Sequence, residues 1–315
     1  MNPIQSAVQN FLNHCRYEKN LSTKTIKAYS TDLLQFSAFI EAKSIVLIEH
    51  VTKVELRSFL EEISSLKAKS IKRKVATLKA LFNFLEFDDL IAVNPWRKMK
   101  IRIKEPKVLP TVLDLSEVGR MLRSLYKRKQ ALEGKHSYAY KEVVRNITIL
   151  ELLFATGGRV SEIARLKNED VSLQTGVIII QGKGDKERII QVCNEEVLSL
   201  LKHYRKIWGA EIASDGYFLI NRFGNVLSDQ SIRNLVKRVS KEAGIAKHVT
   251  PHVFRHSFAT LLLEKDVDIK YIQSLLGHSS VNTTQIYTHV NKHKQRQLLK
   301  AKHPRRDLMM GDVVS

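Results

Sequence analysis

In the segment LSTKTIKAYSTDLLQFSAFIEAK, apolar side chains fall at Ile26, Tyr29, Leu33, Phe36 and Ile40. Steps of three and four residues return a side chain to one side of an α-helix, so this stretch predicts a helix with one apolar face. Thr52 and Glu55 stand three apart, just ahead of Leu56, Phe59 and Leu60, and form a capping box that opens another helix. From Ala68, the series Ile71, Val75, Leu78, Phe82 and Leu85 marks a third, with Lys69, Lys72, Arg73 and Lys79 on its other side. No acid lies between Lys67 and Leu85, so this basic face is expected to be unneutralised, as suits a phosphate backbone. Asn94-Pro95 stops the helical pattern.

Beyond it, Arg97, Lys98, Lys100, Arg102, Lys104 and Lys107 alternate with apolar residues up to Pro110. This tract reads as an extended basic linker, over 97–112, between an N-terminal helical domain at 1–96 and a second domain at 113–315. An edge strand is the alternative. Helical patterns cover about 115–130 and 142–155, and the polar, basic stretch between them, about 126–141, reads as a surface insertion. TGVIIIQGKGDKERIIQV reads as two strands around a Gly-rich turn. More helices are expected near 195–208, 229–243, 252–265, 268–276 and 281–290. Helices dominate, interrupted by one small sheet.

Charge changes the picture. Lys plus Arg number 52 against 32 Asp plus Glu, a formal net charge of +20, and this excess favours a polyanionic partner, nucleic acid ahead of an anionic membrane surface. No apolar run approaches the ~20 residues needed to span a bilayer. The opening Met-Asn-Pro-Ile-Gln lacks the charged and apolar regions of a signal peptide. Cys15 and Cys193 are far apart and read as free thiols of a reducing cytosol.

Four short segments could carry chemistry. In PHVFRHSFAT, Pro251 suits the first turn of a helix, and His252 and Arg255 share a face. Scattered polar groups at a helix start are the plainer reading, and a zinc site at His252 and His256 lacks an acidic third ligand. In ATGGRVSEI, Arg159 opens a helix, against the macrodipole, with Glu162 one turn on. An anion would make that placement tolerable, and so would a simple Arg159–Glu162 surface pair. In QGKGDKERI, Lys183 sits in a tight turn that could reach into a DNA groove or be a plain hairpin, and the phosphate-loop pattern is absent. In SLLGHSSVNTTQIYTHV, Gly277 ends a helix, His278 follows it, and Tyr287 lies on the next.

Taken in order, Arg159, Lys183, His252 with Arg255, His278 and Tyr287 resemble the ordered set of the tyrosine recombinase (phage integrase) superfamily. The words TGGRVSEI, GKGDKER, PHVFRHSFAT and LLGHSSVNTTQIYTHV match as well, and NLSTKTIKAYSTDLLQF resembles that family's core-DNA-binding domain. The resemblance spans about residues 4–303 and is closest to bacterial Xer-type and mobile-element recombinases. It implies a mainly α fold: a SAM-like helical bundle, then a helical catalytic domain with a small antiparallel sheet. Two departures stand out. Gly158 occupies a place where the family has a larger apolar residue, which would loosen packing beside Arg159, and the 126–141 insertion is longer than in Xer proteins. No arm-site-binding domain precedes the core-binding part, unlike the lambda-type integrases.

The resemblance also implies roles. Tyr287 is the nucleophile that forms a 3′-phosphotyrosine. Arg159 and Arg255 offer fixed cationic forks to the non-bridging oxygens, where negative charge grows in the transition state. His278 donates a further hydrogen bond, His252 is the candidate base, Lys183 the candidate acid, and Glu162 orients the site. The bond energy stays in the phosphotyrosine, so no ATP is expected, and with two Arg, a Lys and His supplying the electrostatic stabilisation, no divalent metal or other cofactor is expected. The partner is double-stranded DNA with inverted-repeat arms, held by a homotetramer or a heterotetramer with a related recombinase on the cytoplasmic nucleoid. Lys24, Lys72 and Arg73, with Gln230, Arg233 and Lys237 on one helix face after Ser228, are candidate DNA contacts. A type IB topoisomerase and a non-enzymatic DNA-binding regulator are the rival readings. The tail beyond Tyr287 has too small an apolar face to stand alone, and docking on a neighbouring subunit is favoured over docking on its own domain.

The +20 charge generates the first prediction. Affinity for duplex DNA should fall about a hundredfold or more between about 50 and about 200 mM salt. Filter binding across a salt series measures the slope, and a flat profile would exclude a phosphate-driven interface.

Overall fold

The computed structural model describes residues 3–104, 110–135, 137–182, 187–212, 216–277 and 299–308. The chain divides into two compact units, Met1–Val108 and Leu109–Ser315. Among the described residues, no helix is long and apolar enough to cross a membrane.

Among its described residues the first unit carries helices and no strand. α1 (Pro3–Asn13) runs into a π-helical turn at His14–Glu18 and is followed by α2 (Thr23–Ala42), α3 (Lys53–Glu62) and α4 (Ala68–Phe87). Ser22 caps α2 by accepting from the Thr25 amide, and the Thr52–Glu55 capping box opens α3 as its sequence implies. Phe11, Phe36, Phe59 and Phe82 are buried at the centre, with Phe36 edge-on to Phe59 at a centroid distance of 5.1 Å.

Two expectations for this unit need correction. The basic face of α4 is partly neutralised, by an acid 42 positions before Lys74 in sequence. Buried Asp32 of α2 pairs with Arg73, accepts from Lys74 Nζ at 2.9 Å and takes the Thr77 hydroxyl at 3.1 Å. A buried carboxylate must be paired, and these partners fasten α2 to α4. The basic tract also starts inside the unit, because Trp96 and Met99 are buried in its core. Residues 105–109 lie outside the described residues.

The second unit is built around α6 (Tyr138–Thr156), buried at every position from Val143 to Thr156. α5 (Leu115–Ala131) packs beside it, capped by Asp114 and Glu117. Then come α7 (Val160–Ala164) and an antiparallel sheet in the order β1 (Val171–Ser172), β2 (Val177–Gln181), β3 (Glu187–Gln191), with Ile179 opposite Ile189. α8 (Glu195–Trp208), α9 (Asp229–Glu242), α10 (Pro251–Leu263) and α11 (Ile269–Leu276) complete the unit. The 126–141 stretch expected as a surface insertion takes in the end of α5 and the start of α6, and its described residues after Tyr126 are exposed or half-buried. Tyr126 is buried, and its hydroxyl donates to Glu151. The helix expected at 281–290 lies outside the described residues.

The described part of the tail, residues 299–308, packs on its own unit in this single chain. Leu299, Pro304, Arg305 and Leu308 are buried. Arg305 Nε donates to Glu151 Oε2 at 2.8 Å and Nη2 to Glu196 Oε2 at 2.8 Å. His303 Nε2–H donates to the Ala155 carbonyl at 3.0 Å, while its Nδ1 accepts from the Arg305 amide at 3.0 Å. That arrangement needs a neutral ring, and burial lowers the His303 pKa to about 4. The short apolar face supplies anchors, and the buried ion pair supplies direction.

Truncation after Lys292 should therefore destabilise the second unit by about 3–5 kcal/mol, because the buried Glu151 carboxylate would lose the Arg305 cation. Urea unfolding measures this. Adding Glu151→Leu to the truncated chain should recover part of the loss, and an unchanged midpoint on truncation would contradict the docking.

Candidate active site

α6 stops where Gly157 takes a left-handed conformation, φ +58°. A Cβ there would lie 2.6 Å from Phe258 Cδ1, so glycine is required both by backbone and by space. Gly158 is closely packed rather than loose. A Cβ on it would come 2.7 Å from Ile163 Cδ1, so the Ile163 side chain fills the place of the missing one. This turn aims two groups. It delivers Arg159 to the cap position of α7, and it presents the Gly157 carbonyl to α10.

Arg159 and Glu162 close on one another across the first turn of α7. The Arg159 amide donates to Glu162 Oε2 at 2.8 Å, and its Nη1 donates to Oε1 at 2.7 Å. The same carboxylate accepts from Arg188 Nη2 of β3 at 2.6 Å. Burial alone would raise the Glu162 pKa. The Arg188 hydrogen bond and charge, with the Arg159 contacts, overrule it and hold the carboxyl at about 2.

Arg255 is buried on α10, and its fork is fixed by main chain. Nη1 donates to the Gly157 carbonyl at 2.9 Å, and Nη2 donates to the Leu276 carbonyl at 2.6 Å. Burial lowers its pKa to about 10, helped by the positive charges of Arg159 and Arg188 and opposed by Glu162. Three guanidiniums thus surround a single carboxylate. That leaves a net positive centre of fixed geometry, suited to an anion with several oxygens.

His252 is exposed on the first turn of α10, three residues before Arg255, with its ring centroid 5.2 Å from that of His256. The structure thus brings Arg159, Glu162 and Arg255 together and sets His252 one turn from Arg255. Lys183, His278 and Tyr287 lie outside the described residues. Among the described residues no group of three or more His, Cys, Asp or Glu side chains could hold a metal ion. Of the candidate DNA contacts, Lys24, Lys72 and Arg73 are exposed, with Arg73 also paired to Asp32. On α9, Gln230 donates to Asn234 at 2.9 Å, Arg233 pairs with Asp229 at 3.3 Å, and Lys237 is exposed.

Sequence reasoning missed Arg188. The signal was available in GKGDKERIIQ. Strand alternation puts Arg188 on the same face as buried Ile190, and an arginine on a covered face requires partners.

Comparison with known proteins agrees with this geometry. The phage integrase family model matches residues 124–294, and the phage integrase N-terminal SAM-like domain matches residues 8–87. A tyrosine recombinase of Agathobacter rectalis is 44% identical over 308 residues, covering 98% of this chain and 99% of that protein. Tyrosine recombinase XerD of Listeria innocua is 36% identical over 314 residues, covering 96% and 100%. The solved structure of XerH site-specific recombinase bound to a palindromic difH substrate, a post-cleavage complex, aligns with a TM-score of 0.68 and 26% identity, over 92% of this chain and 83% of that one. A lambda integrase (75–356) dimer on a COC′ core site, 20% identical, has the same fold with a TM-score of 0.66, over 90% and 98%. The chain belongs to the phage integrase family of tyrosine recombinases, site-specific enzymes that cleave and rejoin DNA through a phosphotyrosine link.

The low Glu162 pKa has a pH consequence. Its depressed folded-state value makes a stabilising contribution that is present above about 4.5 and lost as pH falls toward about 2. Glu162→Gln should flatten that part of the stability profile and lower stability at neutral pH by about 2–4 kcal/mol. Urea midpoints at stepped pH measure both, and a variant with the parent's acid limb would refute the pairing.

Proposed function

We propose that Arg159 and Arg255 clamp the scissile phosphate while Tyr287 attacks it, giving a 3′-phosphotyrosine and a free 5′-hydroxyl. The observation that carries this reading is the convergence of two immobilised guanidiniums, one fixed by Glu162 and the other by two backbone carbonyls. Both present fixed forks and need no reorganisation as charge builds on the non-bridging oxygens. His252 takes the Tyr287 proton, and Lys183 protonates the leaving 5′-oxygen. His278 donates to the phosphate, and Glu162 orients Arg159. The 5′-hydroxyl of a second strand then reverses the step.

The substrate is a duplex site with two inverted arms, one subunit to each, and two such sites meet in a tetramer of this chain or of this chain with a related recombinase. XerH on a palindromic substrate supports the symmetric site. Lys24, Lys72, Arg73, Gln230, Arg233 and Lys237 contact the DNA, with Arg73 exchanging part of its pairing with Asp32 for phosphate. The enzyme works in the cytoplasm on nucleoid DNA, in resolution of replicons or in integration and excision of an element.

A site is obtained by binding selection from a randomised duplex pool and is then nicked near the cleavage position. Tyr287→Phe should bind this duplex like the parent yet form no covalent adduct on a denaturing gel. An adduct formed by the Phe variant would overturn the assignment of the nucleophile.

A further inference from the structure

Arg188 has no role in the reading above, yet it is the side chain that joins the separate parts of the site. It lies on β3, five positions after Lys183. Its Nη2 donates to Glu162 Oε2 at 2.6 Å, on the carboxylate that fixes Arg159. Its Nε donates to the Leu275 carbonyl at 2.8 Å, in the last turn of α11. The next carbonyl, that of Leu276, is the one that accepts from Arg255. Gly277 then ends α11 with φ +63°, and a Cβ on it would stand 3.3 Å from both Cδ and Nη1 of Arg188. The chain's next residue is His278. Adjacent carbonyls at one helix end are thus held by two arginines from different elements. One of these arginines also grips the carboxylate behind Arg159.

We propose that Arg188 is a positioning residue for strand cleavage: it fixes the end of α11 against Glu162 and so sets where the chain departs toward His278 and Tyr287. This rests on the catalytic set proposed above. The last carbonyls of a helix have no partner within it, so an outside donor decides where that end sits. Arg188 bridges the carboxylate and the carbonyl from two different nitrogens of one rigid plane, Nη2 and Nε. An ammonium keeps the charge, but its donors all radiate from one atom on a flexible stem, so it does not reproduce that span and direction. Arg188→Lys is therefore the informative change. It preserves a cation beside Glu162 and releases the Leu275 carbonyl. The cost of a displaced reacting group appears in the chemical step, where a misplacement of about 1 Å removes about a hundredfold in rate.

The test uses the full chain and the nicked duplex obtained by selection, under single-turnover conditions. Arg188→Lys should bind within about twofold of the parent and melt within about 3 °C of it, yet form adduct at least about tenfold more slowly. Sulfur in place of the 5′-bridging oxygen, which removes the need for an acid, should leave that deficit in place. Arg188→Ala should lose as much cleavage as Arg188→Lys, with a lower melting point. Cleavage by Arg188→Lys at the parent's rate would overturn the inference. So would rescue by sulfur, which would make Arg188 a support of Lys183 alone, and so would a parallel fall in binding, melting and cleavage, which would make it merely structural. A parent enzyme that forms no adduct would overturn the catalytic reading itself; an active parent beside an unaffected variant would overturn only the role of Arg188.

Discussion

The functional end of the second unit depends on one buried carboxylate. Glu162 accepts from the Arg159 amide, the Arg159 guanidinium and Arg188, and its charge also offsets that of Arg255. Like charges so close would repel one another without it. A buried ion pair is often no more stabilising than apolar side chains of the same shape, because both charges must leave water. What the carboxylate contributes here is direction. It turns guanidiniums from a helix cap and a strand toward one region, before any substrate arrives.

The helical bundle was legible in the sequence because its information is local. The Ile26–Ile40 series, the Thr52–Glu55 box and the Ile71–Leu85 series each specify a face through neighbours within one or two turns. Arg159, Glu162, His252 and Arg255 were legible as ordered residues in familiar words, and the pairing of Glu162 with Arg159 was one of the readings their spacing offered. What was illegible depends on partners far away in the chain. Neutralisation of the α4 face by Asp32 spans 42 positions from Lys74, and Arg305 meets Glu151 across 154. Both are single polar contacts, with no periodicity to announce them. The stretch at 126–141 was legible as surface from its polar composition, while the burial of Tyr126 at its start was not.

The docked tail carries the same lesson in reverse. Its few apolar residues were read as too few to stand alone, with docking on its own domain and on a neighbouring subunit both open. The deciding contacts are polar: Arg305 with Glu151 and Glu196, a neutral His303 on the Ala155 carbonyl, and Lys265 with Asp307. Burying Arg305 raises the requirement for a matched site, since a guanidinium left without acceptors in the interior is costly. The same polar match that holds the tail therefore also makes it selective about where it lies.

Arg255 differs from the other site cations in what supports it. Its two anchors are carbonyl oxygens of Gly157 and Leu276, groups that every amino acid carries. Replacing the residue at 276 with another side chain leaves that acceptor in being, whereas Glu162 can be deleted by a single codon change. Inheritance thus treats the two arginines unequally. The support of Arg159 is written in the identity of one residue, and that of Arg255 in the path of the backbone. The exposed point of that path is Gly157, where conformation and the nearness of Phe258 both forbid a side chain. For Arg255, the heritable element is a bend in the chain, encoded by the absence of a carbon atom.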